Sequence, residues 1–373
     1  MSTPPLLPLE DALRILRDAF PAPATAEVRA DRDDPALDLS SMDGAALRAS
    51  DGVAPRRVLG TRYAGDPPTL EVAPGTCVRI MTGAAVPPGA DAVVPVEELE
   101  VRGDALVPVR PPRAGENIRP RAGQARAGDL LLPAGEPARA ARVGLLAQVG
   151  MPVPPLARVK VGVVATGDEL NAHPAPHQIR DSNGPMLEAL AHALGADVRR
   201  LPALPDEPAA VRAFLEDLGD LGILLTSGGV SAGEKDHLPR VLADMGARIL
   251  FHKIRLKPGK PMLTALLDGR IILGLPGNPV SSYINALMFL PVALAGLQGR
   301  RAPEPWKEGL LRAPVPNPGD RPLLHPCRRQ GRDLDPLPSR GSADLVRLAQ
   351  AEAFAWIPEG GLAAGPTRYL DVV

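Results

Sequence analysis

The sequence predicts a multidomain α/β protein. Its central domain is a doubly wound, mostly parallel sheet, preceded by N-terminal mixed and β-rich modules and followed by a small C-terminal β domain. Three observations predict this. From Val159 to about Leu297, apolar runs of strand length alternate with stretches of helical periodicity, the signature of repeated βα units. On either side the chain breaks into short β-like runs divided by Gly and Pro. The length of 373 residues leaves room for two to four domains at roughly 150 residues each.

Taken in order, Leu13, Leu16 and Phe20 recur at three- and four-residue intervals, so Leu9 to Phe20 reads as an amphipathic helix. A Pro/Ala/Asp-rich passage follows, ending in Ser41-Met42-Asp43-Gly44-Ala45-Ala46. Between Ala46 and Arg121, the runs Cys77–Met81 and Ala92–Val96 read as strands, and Pro137 to Val149 reads as a helix stopped by Gly150. In the central part the expected elements are Lys160–Ala165, Met186–Leu194, Asp197–Leu204, Pro208–Leu218, Gly222–Thr226, Leu238–Met245, Phe251–Leu256, Arg270–Leu275 and a closing helix. Leu323-Leu324-His325 and Ala353–Ile357 are strands of the last domain. The expected domains are therefore residues 1–45 with 122–155, 46–121, 156–298 and 299–373.

Composition narrows the functional classes. A formal net charge of −1 excludes a general nucleic-acid-binding polyelectrolyte and leaves small molecules as the expected partners. Cys77 and Cys327 are far apart and have no metal-ligand spacing, which fits a reducing cytoplasm rather than a disulfide or zinc scaffold. Met1 to Glu10 lacks a basic leader. The longest apolar stretch, Ala286 to Leu297, is interrupted by Pro291 and is shorter than the roughly 20 residues a membrane span needs, so no membrane partner is expected.

A doubly wound sheet binds ligands where its strands end at their carboxyl side. Three of the expected strands run into unusual loops there. Ile271–Leu275 runs into Pro276-Gly277-Asn278-Pro279, whose following helix offers first-turn N–H groups to an anion. Val161–Ala165 runs into Thr166-Gly167-Asp168-Glu169-Leu170, and Leu224-Leu225 runs into Thr226-Ser227-Gly228-Gly229-Val230-Ser231 and on to Asp236. Gly228, Gly229 and Gly233 permit close approach of a ligand to the main chain.

Carboxylates follow the same loops: Asp168, Glu169, Asp206, Glu234 and Asp236. Such a set suits Mg²⁺ held through one or two carboxylates together with phosphate oxygens. The competing reading is helix capping, which Asp206 before Pro208 and Asp181 before Asn183 also fit. Strand alternation through Phe251–Pro261 puts Lys253, Arg255 and Lys257 on one face, and the turn at Pro258-Gly259 brings Lys260 near, a cationic surface suited to an oxyanion or pyrophosphate. A solvated sheet edge would read the same way.

The motifs Ser41–Ala46, Arg79-Ile80-Met81-Thr82-Gly83-Ala84, Asn117-Ile118-Arg119, Thr166–Leu170, Ser227–Asp236, Lys257–Pro261 and Leu275–Pro279, in this order and spacing from about residue 8 to 370, resemble the MoeA family of molybdopterin molybdenumtransferases. The resemblance implies a MogA/MoaB-like central domain within four domains. It implies insertion of molybdate into adenylated molybdopterin, with Mg²⁺ and release of AMP. It also implies a homodimer with its active site in a cleft lined by both subunits, and a molybdopterin adenylyltransferase as a partner enzyme. Matched position by position, the family's functional residues fall on Asp43, Thr82, Glu169, Asp206, Asp236, Lys253, Lys257, Pro276, Pro279 and, in the last domain, Ser342. Thr82 and Asp43 also have simpler readings as turn residues beside Gly83 and Gly44.

Two departures from the family pattern stand out. Ala45 occupies a position usually aromatic, and Ala122-Gly123-Gln124 replaces the usual Gly-Glu-Asp, so Gln124 cannot carry the missing charge and Asp129 becomes a candidate substitute. The mechanism expected from the charges lays the pterin pyrophosphate across Ser227, Gly228, Gly229, Ser231, Lys253, Lys257 and Lys260. Mg²⁺ bridges it to Asp236, Asp206 or Glu169, and Pro276, Gly277, Asn278 and Pro279 hold the dithiolene end or the molybdate. Three other readings remain: a molybdopterin adenylyltransferase, which needs only the α/β domain; a non-catalytic scaffold, which the lost acid permits; and a tungstate enzyme, which the sequence does not discriminate.

Overall fold

The structure, a computed structural model, describes residues 6–20, 26–134, 140–152, 158–230, 236–300 and 302–373. The chain divides into two compact units, one of Met1–Pro23 with Pro155–Val373 and one of Ala24–Pro154.

The first unit contains a six-stranded sheet. Its strands are β1 (Lys160–Ala165), β2 (Asp197–Arg200), β3 (Ile223–Ser227), β4 (Arg248–His252), β5 (Leu263–Leu267) and β6 (Arg270–Leu275), in the order β2-β1-β3-β6-β5-β4. β2, β1, β3 and β6 run parallel, whereas β5 is antiparallel to both β6 and β4. β1, β3 and β6 are continuous apolar runs because both faces are covered. Val161, Val163, Ile223, Leu225, Ile271 and Leu273 pack with helices α1 (Leu9–Asp18), α2 (Asn183–Ala193) and α5 (Pro279–Leu297). Val164, Leu224 and Ile272 point the other way, toward α3 (Pro208–Glu216) and α4 (Leu238–Asp244). The expected doubly wound architecture is present.

Two local expectations are corrected and one strand is added. The strand expected over Phe251–Leu256 ends at His252, because Lys253 adopts a positive φ of 72°. Ile254 and Leu256 remain buried, so the alternation of burial survives without a ladder. β5 escaped the reading altogether; it is joined to β6 by a tight Asp268-Gly269 turn with φ of 49° and 78°, the geometry of a two-residue hairpin. Asp197–Leu204 is a strand only to Arg200.

Pro291 does not break the last helix: α5 continues through it for 19 residues. The proline costs about 3 kcal/mol in a helix interior, and burial of Leu290 and Val292 on either side of it offsets that cost. By length and composition α5 would cross a membrane, yet 83% of its apolar window is buried inside the protein, which makes it the core helix of the sheet.

Residues after α5 form a small closed barrel of β7 (Lys307–Leu311), β8 (Leu323–Gln330), β9 (Asp333–Pro336), β10 (Ala353–Ile357) and β11 (Gly365–Asp371), in the order β7-β9-β8-β10-β11, with a short helix α6 (Leu345–Gln350) between β9 and β10. Ala353, Ala355 and Ile357 face the barrel core with Leu311, Cys327, Leu334 and Tyr369. Leu324, Phe354 and Leu370 join the large core of the α/β sheet instead.

The second unit carries a six-stranded sheet of Ala92–Pro95, Gly44–Leu47, Thr76–Ile80, Arg56–Arg62, Ala105–Pro108 and Leu99–Arg102 in that spatial order. Val28–Arg29 pairs with Leu130–Leu132, Leu39–Ser40 pairs with Ile118–Arg119, and a helix spans Ala140–Gln148.

Candidate active site

The carboxyl ends of β1, β3 and β6 lie level, with Ala165 opposite Ser227 and Ser227 opposite Leu275. Their loops are laced together. Thr166 N–H donates to the Ser227 carbonyl at 2.9 Å, and Gly228 N–H donates to that of Leu275 at 3.0 Å. Asn183, the first residue of α2, uses its side-chain NH₂ twice: it donates to Ser227 Oγ and to the Gly277 carbonyl, both at 2.7 Å. Gly228 has a φ of +103°, and a Cβ there would sit 2.7 Å from the Thr166 carbonyl oxygen, so only glycine lets these loops approach.

Asp206 N–H donates to Asp168 Oδ1 at 3.3 Å, which joins two of the loops. The N-cap residue of α3 is Glu207 rather than Asp206, and its side chain makes no cap bond. Asp181, which precedes the N-cap residue Ser182, serves the first turn of α2, its Oδ1 accepting from Gly184 N–H at 2.8 Å. Glu169 is exposed, and its carboxylate occupies the space that a Cβ on Gly167 would need, 2.5 Å from where that atom would lie. Asp206 and His237, the neighbour of Asp236, line a small hollow with Thr166, Thr226 and Gly229. Ser231, Gly233 and Glu234 lie outside the described residues. Among the described residues no group of three or more His, Cys, Asp or Glu is placed to hold a metal ion. A metal here would therefore need phosphate oxygens and water to complete its shell, the usual manner of Mg²⁺.

The basic residues gather at a cavity of about 420 Å³, a volume suited to a small-molecule ligand. Lys257, Lys260, Asn278, Ser281 and Ser342 line it, together with Arg321 and His325, which the sequence reading passed over. Asn285, fully buried in α5, fixes the lysine-bearing turn by donating to the carbonyls of Gly259 at 3.0 Å and Pro261 at 3.4 Å. A lone Asn in an apolar helix was the signal available for it. Burial pushes the His325 imidazole below its ordinary range, against a hydrogen bond to the Leu337 backbone that raises it. Lys253 is half-buried, donates its N–H to the Met262 carbonyl, and is not part of this lining.

The helix start at Pro279 is less open than expected. Proline has no N–H, the N–H of Val280 donates to the Ser342 carbonyl at 3.1 Å, and that of Ser282 to the Asn278 carbonyl at 2.9 Å. This is how Ser342 comes to stand beside the Pro276–Pro279 turn.

In the second unit, Asp43 and Thr82 meet although 39 residues apart. Asp43 Oδ1 accepts both the N–H and the hydroxyl of Thr82 at 2.7 Å, and these two bonds hold its carboxyl below the usual range. Gly44 is obligatory, since a Cβ there would lie 1.9 Å from the Val94 carbonyl oxygen. Ala45 is fully buried among Leu47, Cys77 and Val94. Gln124 is exposed, its N–H donating to the Asp34 carbonyl at 2.9 Å, on a cavity of about 180 Å³ it shares with Asp31, Arg32 and Asp34. Asp129 closes its own turn by accepting from Arg126 N–H at 2.9 Å, so it is engaged locally rather than replacing the lost acid.

Comparison with known proteins follows the same lines. Residues 7–150 match the family described as MoeA N-terminal region (domain I and II), and residues 162–295 match the probable molybdopterin binding domain. A molybdopterin molybdenumtransferase of Synechococcus elongatus is 34% identical, the match covering 96% of this chain and 91% of that one. One of Bacillus subtilis is 32% identical over 92% of this chain and 85% of its own. Among solved structures, a molybdopterin biosynthesis moea protein from Pyrococcus horikoshii superposes with a TM-score of 0.72 at 25% identity, covering 98% of this chain and 99% of that chain.

Proposed function

The chain belongs to the MoeA family, molybdopterin molybdenumtransferases of molybdenum cofactor biosynthesis, and on that premise we propose that it inserts molybdate into adenylated molybdopterin with release of AMP. The observation that supports this reading is the 420 Å³ cavity, where the lysine-bearing turn, the Pro276–Pro279 turn and the Ser342 loop present cations and hydroxyls to one anionic ligand. In the proposal Lys257, Lys260 and Ser342 bind the oxyanion, and Ser227, Gly228 and Gly229 take the pyrophosphate. Lys253, Pro276, Gly277, Asn278 and Pro279 complete the substrate site, and Asp43 and Thr82 are catalytic.

Mg²⁺, when bound, would be held through one or two of Asp206, Asp236 and Glu169 together with phosphate oxygens and water, and would supply charge neutralisation to the phosphoanhydride. The residues' own part is to hold the anhydride and the molybdate in reach of each other. Cleavage breaks the phosphorus–oxygen bond of the anhydride, water supplies the oxygen that replaces it, and AMP leaves.

A homodimer, a cytoplasmic location and a molybdopterin adenylyltransferase as supplier of the substrate belong to the same proposal. The buried free thiols of Cys77 and Cys327 support the location. The experiment that separates this reading from the adenylyltransferase one offers the protein molybdopterin and ATP. No adenylated product is expected, and its accumulation would move the assignment to the other activity. Light scattering at twice the mass of 39.1 kDa is the result expected for the dimer.

A further inference from the structure

We infer that Asn183 is a positioning residue that makes the Ser227 hydroxyl an obligate hydrogen-bond donor toward the substrate's phosphate oxygens. The inference rests on the proposed function and deepens it. Ser227 and Asn183 are buried, at 3% and 8% exposure. The side-chain amide of Asn183 faces the Gly277 carbonyl, which only accepts, so the group at 2.7 Å from that carbonyl must be the NH₂. The second proton of the same NH₂ then points at Ser227 Oγ, also at 2.7 Å. A hydroxyl oxygen that accepts from an amide cannot return its own proton along that line, so the Ser227 proton is turned elsewhere.

Ser227 ends β3 at the level where the three loops emerge, and Gly228 and Gly229 follow it with φ of +103° and +70°. Under the proposed function, the donor so oriented is the one offered to the pyrophosphate. A phosphate oxygen accepts only, so a serine free to rotate would bind it less well than one whose alternative role is filled. By tying Gly277 as well, the same amide holds the Pro276–Pro279 turn against β3. The Oδ1 atom of Asn183 is buried without a partner, so the residue keeps an unsatisfied acceptor in place to use both of its donors.

The test measures KM for adenylated molybdopterin and kcat for AMP release in the wild-type chain and in Asn183→Ala, Ser227→Ala, the double variant and Asn183→Asp, each checked for folding by circular dichroism. Asn183→Ala and Ser227→Ala should each raise KM about tenfold, the scale of a lost hydrogen bond to a charged group. The double variant should lose much less than the product of the two, because Asn183 acts in part through Ser227. Asn183→Asp keeps the volume but can only accept from Ser227, so it should raise KM at least as much as alanine does. Multiplicative losses, or a wild-type KM in Asn183→Asp, would overturn the inference while wild-type turnover leaves the functional reading standing. A wild-type chain without turnover would overturn both.

Discussion

Asp43 Oδ1 accepts two hydrogen bonds from Thr82, one from its N–H and one from its hydroxyl, each 2.7 Å long. Two separate sequence motifs are thereby joined into one polar unit at the end of two paired interior strands, Gly44–Leu47 and Thr76–Ile80. The two bonds stabilise the ionised carboxylate, so its folded pKa lies below its unfolded value. Its contribution to stability is present above the ordinary carboxylate range and is lost as pH falls through the lowered value. Thr82→Val removes one bond and should shift the Asp43 titration upward in a carbon-detected NMR experiment. An unchanged titration would leave the N–H bond as the whole cause.

Gly228→Ala should damage the site through backbone geometry alone. The added methyl meets the Thr166 carbonyl oxygen at 2.7 Å, and the positive φ strains any other residue. A loss of about 1–3 kcal/mol in denaturant unfolding is expected, with weaker substrate binding at a loop that must now open.

Asn285→Ala should release the turn carrying Lys257 and Lys260. The side chain is fully buried and its amide serves the carbonyls of Gly259 and Pro261. Its removal leaves those acceptors without that donor and is expected to cost about 1–3 kcal/mol. Calorimetric binding of molybdate should weaken with it, although Asn285 is not among the residues lining the cavity.

His325 supplies the pH dependence. Burial lowers its folded pKa below the ordinary 6.5, so below that pH the unfolded chain binds the proton more readily than the folded one. Protonation therefore costs folding nothing above about 6.5 and opposes it increasingly as pH falls from there through the lowered folded value. Denaturation midpoints of the wild type and His325→Gln at pH 7.5 and 5.5 should show the smaller fall in the variant.

How much of this was legible beforehand depended on whether the signal was local. β1, β3 and β6 could be read because strands buried on both faces are continuous apolar runs, and the Pro276–Pro279 turn because Gly and Pro punctuate the chain. β5 was missed because Leu263–Leu267 resembles any short apolar segment until its Asp-Gly turn is recognised. The Lys253–Lys257 strand was over-read, since alternating burial of Ile254 and Leu256 persists without a ladder. Asn183, Asn285, Arg321 and His325 act through partners distant in sequence, as far as 94 residues for Asn183 and Gly277, and no spacing rule reveals that.

Incubation of the purified chain with adenylated molybdopterin, molybdate and Mg²⁺, following AMP and cofactor together, tests the functional assignment most directly. AMP released in step with molybdenum cofactor, dependent on molybdate and lost in Asp236→Ala with the fold intact, is the expected result. Intact adenylated molybdopterin recovered from the wild-type protein, with no AMP formed, would contradict it and identify a binding scaffold in place of an enzyme.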